Sequence, residues 1–470
     1  MLRWTLLPSA FVLATVLSSP VQAQLSGSVP TYGSPPVQGY TVPAPQTPPS
    51  YDGATVYQVP QTGAAPQIYP TTPTYPNTAA PNFTGPTYQQ PVLQPTVREA
   101  DLIIEGYPAR TGRVTFGGAV NSDAGVTGQI TIDERNFDIT RWPRSFQDLL
   151  SGTAFRGAGQ TLRLEAVPGN LFQRYTAQFA DPNLFGYLPI SMSVSGFLFD
   201  RRYEDWDEQR LGGRLSLGYR VTPDLSVSAG ITGQAVELTR PSGSASIQPV
   251  APATDPVSVL TPFLGDSSIF SGLVSLIHDT RNNPMMPSEG HFMQLSYEQT
   301  FGDFDYPKFE FEYRKYFQVA QRADGSGKQT LAYTLQLGYS GDETPIYENY
   351  FAGGYATLRG FDFRGASPVD PNYTFIETGG RFQWLNSVEY LFPITADDAF
   401  QGALFVDFGT VESDFEIDAD DFRVAPGFGL RVAIPMLGPA PLAFDFAFPV
   451  SKSEFDDERV FNFYMSANRF

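Results

Sequence analysis

The chain has no cysteine and only two histidines. Without cysteine there are no disulfides, and thiolate-based zinc or redox chemistry is excluded. His278 and His291 do not form a zinc-binding pair, and no nucleophile elbow accompanies them. No catalytic residue, metal site or cofactor is therefore expected. Basic residues are also scarce: 30 Lys and Arg stand against 49 Asp and Glu, a net charge of -19, which argues against a nucleic-acid partner. Beyond the N-terminus no apolar run reaches the roughly 18 residues that a membrane helix needs. If the chain spans a membrane it must do so as a closed barrel, because lipid cannot satisfy an open sheet edge.

What is present changes in kind along the chain. Residues 1–23 carry Arg3, an apolar stretch from Thr5 to about Leu17, and Val21-Gln22-Ala23. That is the pattern of a cleaved secretory signal. Residues 24–97 are rich in Pro, Thr, Gln, Gly and Tyr, with Asp52 the sole charged residue. Such a composition favours extended conformations over a packed core, so a disordered periplasmic linker is expected. Its spaced tyrosines, among them Tyr32, Tyr57 and Tyr88, also suit a recognition tether.

From Arg98 to Phe470 the sequence alternates in polarity. Leu331, Tyr333, Leu335, Leu337 and Tyr339 share one face, opposite Thr330, Thr334, Gln336 and Ser340. Phe309, Phe311 and Tyr313 lie opposite Lys308, Glu310, Glu312 and Arg314, and Leu211, Leu215, Leu217 and Tyr219 opposite Arg210, Arg214 and Arg220. Strand side chains point alternately to the two faces. Runs of about ten residues whose polar face carries full charges fit a lipid-facing exterior and a wet lumen. The expected fold is all-β: a transmembrane antiparallel barrel of about sixteen strands, an even number as single-chain bacterial barrels require. With the N-terminus in the periplasm, long external connections fall at 241–266, 342–375, 412–421 and 454–458, and short periplasmic turns at 221–224 and 435–441. Residues 136–159 are long for a periplasmic turn, with a short helix expected at 146–150. The acidic stretch 412–421 lacks calcium-loop spacing and reads as a solvated face. The chain ends on an aromatic strand and Phe470, which suits a C-terminal assembly signal.

Three motifs carry a family resemblance. The first is Phe351-Ala352-Gly353-Gly354 followed by Leu358-Arg359-Gly360-Phe361. The second is Asp279-Thr280-Arg281-Asn282-Asn283-Pro284, with Pro287 and Gly290 behind it. The third is Phe405-Val406-Asp407-Phe408-Gly409. Together, and in this order, they resemble the outer-membrane assembly-factor superfamily that includes BamA, TamA and the two-partner secretion pores. The resemblance implies that the 342–375 loop folds into the lumen, where Arg359 is held by acidic residues on the wall. Alternation places Glu389 and Asp407 on the inward face, so both are candidate partners, and Arg431 and Asp445 are expected to extend the network. A guanidinium suits this role because it stays charged and grips carboxylates through paired hydrogen bonds. Asp279 and Arg281 read as a turn stapled by a local ion pair, with Pro284 and Gly290 shaping it.

The resemblance also implies polypeptide-transport-associated (POTRA) repeats before the barrel. Residues 24–97 do not show their pattern, and one strand fits Arg98–Pro108. The expected function is non-enzymatic assistance to the insertion and assembly of other outer-membrane proteins. A thinned bilayer and a weak seam between a short first strand and the last one would supply the mechanism. The alternative is a polypeptide-translocating or passive diffusion pore. Expected partners are unfolded outer-membrane protein precursors and outer-membrane lipids, with periplasmic chaperones or lipoproteins beyond them. The expected location is the outer membrane, with the N-terminal segment in the periplasm.

Overall fold

The computed structural model describes residues 111–239, 259–370, 373–434 and 441–465. The signal sequence, the Pro-rich segment, the Arg98–Pro108 strand, Phe470, and most of the 241–266 and 435–441 connections lie outside the described residues.

Sixteen strands form one antiparallel sheet in simple chain order. They are β1 (Gly112–Asn121), β2 (Gly125–Phe137), β3 (Gln160–Val167), β4 (Phe172–Asp181), β5 (Ile190–Arg202), β6 (Asp207–Arg220), β7 (Leu225–Thr239) and β8 (Gly265–Asp279). The second half comprises β9 (Gly290–Gly302), β10 (Tyr306–Ala320), β11 (Gln329–Ser340), β12 (Phe382–Pro393), β13 (Phe400–Glu412), β14 (Arg423–Val432), β15 (Leu442–Ala447) and β16 (Phe461–Met465). The sheet curls into a nearly closed barrel. Each strand pairs with its neighbour in sequence, so every interior strand satisfies its backbone groups within the wall, as a lipid surround demands.

The pleat sorts the side chains as alternation predicts. On β10, Phe309 is exposed on the outer face while Lys308 is buried within. On β6, Leu211 and Leu217 face out and Arg210 is buried. Thr330, Thr334, Gln336 and Ser340 of β11 all point into the covered interior. The charged inner face is not simply wet, however, because much of the lumen is filled by the chain itself.

The filling comes from residues 341–381, between β11 and β12, so the in-folded loop runs a little beyond the expected 342–375. Its apolar side chains pack in two groups. Ile346, Tyr347, Phe351 and Ile376 meet Trp206, Leu238 and Ile269. Tyr350, Leu358 and Phe361 meet Leu385, Val411 and Ala425. Between β2 and β3, a single α1 turn (Phe146–Leu150) occupies the long connection, capped by Ser145 and Asp148. The 412–421 stretch departs from the expected solvated face at its first residue: Glu412 is buried, whereas 413–420 are exposed.

One expectation about the seam needs correction. The first strand is not short, since β1 spans ten residues and pairs with β2 along its whole length. At the other edge β15 has six residues, and β16 is described for five, up to Met465, the last described residue. Among the described residues no ladder joins β1 to β16. They meet at one end, where the Ser122 amide donates to the Phe463 carbonyl at 3.0 Å.

Candidate functional site in the lumen

The loop motif first folds on itself. The Gly354 amide donates to the Phe361 carbonyl at 3.1 Å, and the Gly353 amide donates to Thr357 Oγ1 at 2.9 Å. Gly353 has φ +115°, and a Cβ there would lie 2.1 Å from the Asp362 carbonyl oxygen. Only glycine fits so tight a turn. The turn presents Leu358 to an apolar pocket and Arg359 to the wall. Residues Gly360 and Phe361 then form a two-residue strand against Glu458 and Arg459 of the β15–β16 connection.

Arg359 is fully buried. Its Nε and Nη2 donate to the two Asp407 carboxylate oxygens at 2.8 and 3.0 Å, a bidentate grip, and its own amide adds a third bond to Asp407 at 3.1 Å. Nη1 reaches Glu389 at 2.6 Å and Asp445 at 2.9 Å. The guanidinium carbon lies over the Phe405 ring, 3.2 Å from its centroid. Arg431 then closes the network, bonding Asp445 through both terminal nitrogens and Glu389 at 3.2 Å. Ser387 donates to Asp407 at 2.6 Å, and the Tyr464 hydroxyl to Asp445 at 3.0 Å. Two guanidinium groups thus meet three carboxylates drawn from β12, β13 and β15. All the polar ends are paired, which a buried charge requires if burial is not to be prohibitive.

The structure therefore brings Arg359, Glu389, Asp407, Arg431 and Asp445 together, with Leu358 and Phe361 packed behind them. It places the second motif elsewhere. Asp279 and Arg281 form a bidentate pair at 2.9 and 2.8 Å at the β8–β9 turn, and the Pro284 carbonyl accepts from Arg281 at 3.4 Å. Gly290 has φ +94° and sits against the Thr280 carbonyl. That turn has no contact with the Arg359 cluster. His278 and His291 share a 2.8 Å hydrogen bond on the outer face nearby.

Sequence reasoning missed Ser387 and Tyr464, which carry no distinctive pattern, and gave Phe405 of the third motif no part in the cluster. It also missed a second charged knot at the root of the loop. Arg210 on β6 bonds Glu208 and loop residue Glu348, and donates to the Tyr347 carbonyl at 3.0 Å. Lys308 on β10 donates to the Glu348 carbonyl at 2.8 Å. Burial would raise the Glu348 carboxyl, but Arg210 and Lys308 overcome it and hold the group below its ordinary range. The inward charges on β6 and β10 were a usable signal, since so costly a residue implies a partner. A third knot joins Asp123, in the β1–β2 turn, to Arg459 and to the Tyr355 amide at 3.2 Å. Burial raises the Asp123 carboxyl despite the Arg459 guanidinium beside it.

Comparison with known proteins matches this arrangement to a described family. The model of the Omp85 superfamily domain matches residues 154–468. The outer membrane protein assembly factor BamA of Nitratidesulfovibrio vulgaris is 27% identical over 335 residues, covering 69% of this chain and 40% of that protein. This chain thus spans less than half the length of that relative. Among solved structures, BamA from Haemophilus ducreyi lacking POTRA domains 1-3 superposes with a TM-score of 0.59 at 19% identity, over 76% of this chain and 70% of that one. CdiB from Escherichia coli gives a TM-score of 0.49 at 11% identity, over 77% and 63% of the two chains.

Proposed function

The chain belongs to the Omp85 superfamily, and from that premise we propose that it assists the insertion and assembly of other outer-membrane β-barrels. The barrel itself is an outer-membrane protein of the kind that mediates protein assembly or translocation. The finer assignment, to insertion, rests on one observation: β1 meets the described part of β16, Phe461–Met465, at one end through Ser122 and Phe463.

An unpaired strand edge is a row of free amides and carbonyls, a template for another strand. Here one edge is β1, ten residues long, with Phe116 exposed at its centre. Gly117 and Gly118 give that strand little side-chain packing. An unfolded outer-membrane protein precursor could pair its terminal strand with this edge, exchanging water-facing backbone groups for ladder bonds within the membrane. The loop lock supports the exchange from the other side. By tying β12, β13 and β15 to one guanidinium, it keeps the wall beside the seam in shape while the seam itself yields. On this reading Arg359 is a positioning residue. Precursor proteins and outer-membrane lipids are the proposed partners, with chaperones or lipoproteins acting upstream.

The filled lumen gives no support to a passive pore, since loop residues such as Tyr347, Leu358 and Phe361 are buried inside the barrel.

The test is refolding of a urea-unfolded outer-membrane protein into liposomes that carry this protein. Because the chain has no cysteine, a Ser122→Cys, Phe463→Cys double variant offers a clean disulfide across the seam. Wild type and the reduced variant should accelerate refolding, and the oxidised variant should not. Acceleration that survives oxidation would refute the seam mechanism. No acceleration by any form, with steady ion conductance in the same vesicles, would move the function to a pore.

A further inference from the structure

The β2–β3 connection is an ordered, apolar and basic protrusion that neither the lock nor the seam uses. It leaves the barrel at the end opposite the in-folded loop, since β2–β3 is an even-to-odd connection and β11–β12 an odd-to-even one. Its backbone is fixed by hydrogen bonds from Asp138 to the Phe155 carbonyl and from Phe155 to the Arg141 carbonyl, both at 2.8 Å. Trp142, Phe146 and Leu150 are nonetheless 69%, 74% and 69% exposed. Holding three large apolar side chains in water on a rigid segment is unfavourable unless something covers them.

Two observations identify the cover. First, the segment continues the lipid-facing wall. A register shift after Glu134 pairs Phe137 with Gln160, which puts Phe137 on the same outer face as Leu162 and Leu164. There its ring meets Phe179 at 6.2 Å and stacks on Phe155 at 5.6 Å, and Phe155 in turn meets Trp142 edge-on at 5.3 Å. The aromatic cluster thus runs unbroken from the outer surface of the barrel into the protrusion. Second, the charge is inverted relative to the rest of the molecule. The chain carries -19 overall, yet this segment presents Arg141, Arg144 and Arg156. Its two acidic residues accept from local backbone, Asp138 from the Thr140 amide at 2.9 Å and Asp148 from the Arg144 and Ser145 amides at 2.9 and 3.1 Å, leaving three Arg against two Asp.

We propose that residues 138–159 lie in the plane of the adjoining phospholipid leaflet, with Trp142, Phe146 and Leu150 in the acyl boundary and the arginines on anionic headgroups. Aromatic residues favour this depth, and a basic segment with an apolar face binds an anionic surface through both terms. The segment leaves the sheet between its second and third strands, so it would hold the bilayer against the corner of the barrel nearest the β1 edge.

The absence of native cysteine makes a direct test available. Phe146→Cys is labelled with an environment-sensitive fluorophore, and Thr222→Cys in the β6–β7 turn serves as control. Each is folded into phosphatidylcholine vesicles with or without phosphatidylglycerol, and quenching by lipid-borne spin labels is measured. The label at position 146 should be quenched, and more so with phosphatidylglycerol, while that at 222 stays in water. Adding Arg141→Glu and Arg144→Glu should lower the bound-to-free ratio in anionic vesicles by about tenfold or more. Heat-dependent gel mobility confirms that each variant has folded. A label at 146 as water-exposed as that at 222 would overturn the proposal. So would quenching that is equal in both lipids and insensitive to the charge reversals.

Discussion

The two sides of the seam are built on opposite principles. On one side, β12 to β15 carry three inward carboxylates tied through Arg359 to the in-folded loop, with aromatic and hydroxyl groups completing the bonds. On the other, β1 is exposed along most of its length and holds to the barrel through β2 and the Ser122 and Asp123 contacts. A barrel that needed only stability would distribute its bonds evenly. The contrast suggests a fixed wall against which a compliant strand can move. It also shows where mutations should matter.

The largest effect is expected at the fixed wall. Arg359→Ala strands Asp407, Glu389 and Asp445 in a buried site, where breaking such a pair costs about 3–5 kcal/mol. Thermal unfolding in detergent should show a large fall or loss of the folded band, with Arg359→Lys intermediate because it keeps the charge but not the bidentate grip. A stable, active Arg359→Ala protein would remove the distinction between the two sides.

The β5–β6 turn carries an unfavourable charge against the in-folded loop. Burial pushes the Asp205 carboxyl up to about 6 from 3.8, with the Glu377 amide and Arg364 opposing the shift only in part. The folded state therefore binds more protons than the unfolded state between those values, so stability falls as pH rises from about 4 to 6. The shift corresponds to about 3 kcal/mol at neutral pH. Asp205→Asn can still accept the 2.8 Å bond from Glu377, so it should be more stable than wild type at pH 7 and equal to it near pH 3. Unfolding curves at the two pH values would decide.

A smaller loss is expected at Gly360, which has φ +100° and would place a Cβ 3.2 Å from Ala425 and Pro449. Gly360→Ala should cost about 1–3 kcal/mol of strain, read as a lower unfolding midpoint with the barrel still formed. On the compliant side Phe116→Leu, which keeps an outward-facing β1 position apolar, should change stability by no more than about 0.5 kcal/mol. A loss there as large as that of Gly360→Ala would mean that β1 is packed more firmly than its exposure implies.

Much of this was legible in the sequence, for a definite reason. Strand periodicity is two, so Glu389 and Asp407 could be assigned to the inner face from their neighbours Tyr390, Val388, Val406 and Phe408 alone. Full charges opposite apolar runs marked a barrel, and the in-folded loop followed from a motif resemblance. Three-dimensional closure was not legible. Glu348 meets Arg210 and Lys308 only because the loop crosses the lumen at a particular height. Tyr464 reaches Asp445 only because β16 sits beside β15 in one register. The seam was the least accessible feature, since it depends on residues at the two ends of the barrel sequence, and the first strand proved not to be short.

The Ser122–Phe463 junction has a thermodynamic consequence. Three hydrogen bonds link these residues: the Ser122 amide to the Phe463 carbonyl, the Ser122 hydroxyl to the same oxygen, and the Phe463 amide back to the hydroxyl. Each contributes about 0.5–1.5 kcal/mol net, and the Asp123–Arg459 ion pair beside them adds a further tie. Under the proposed function, an incoming strand would have to outcompete these local contacts, so parting the junction would be driven by binding and not by a separate fuel.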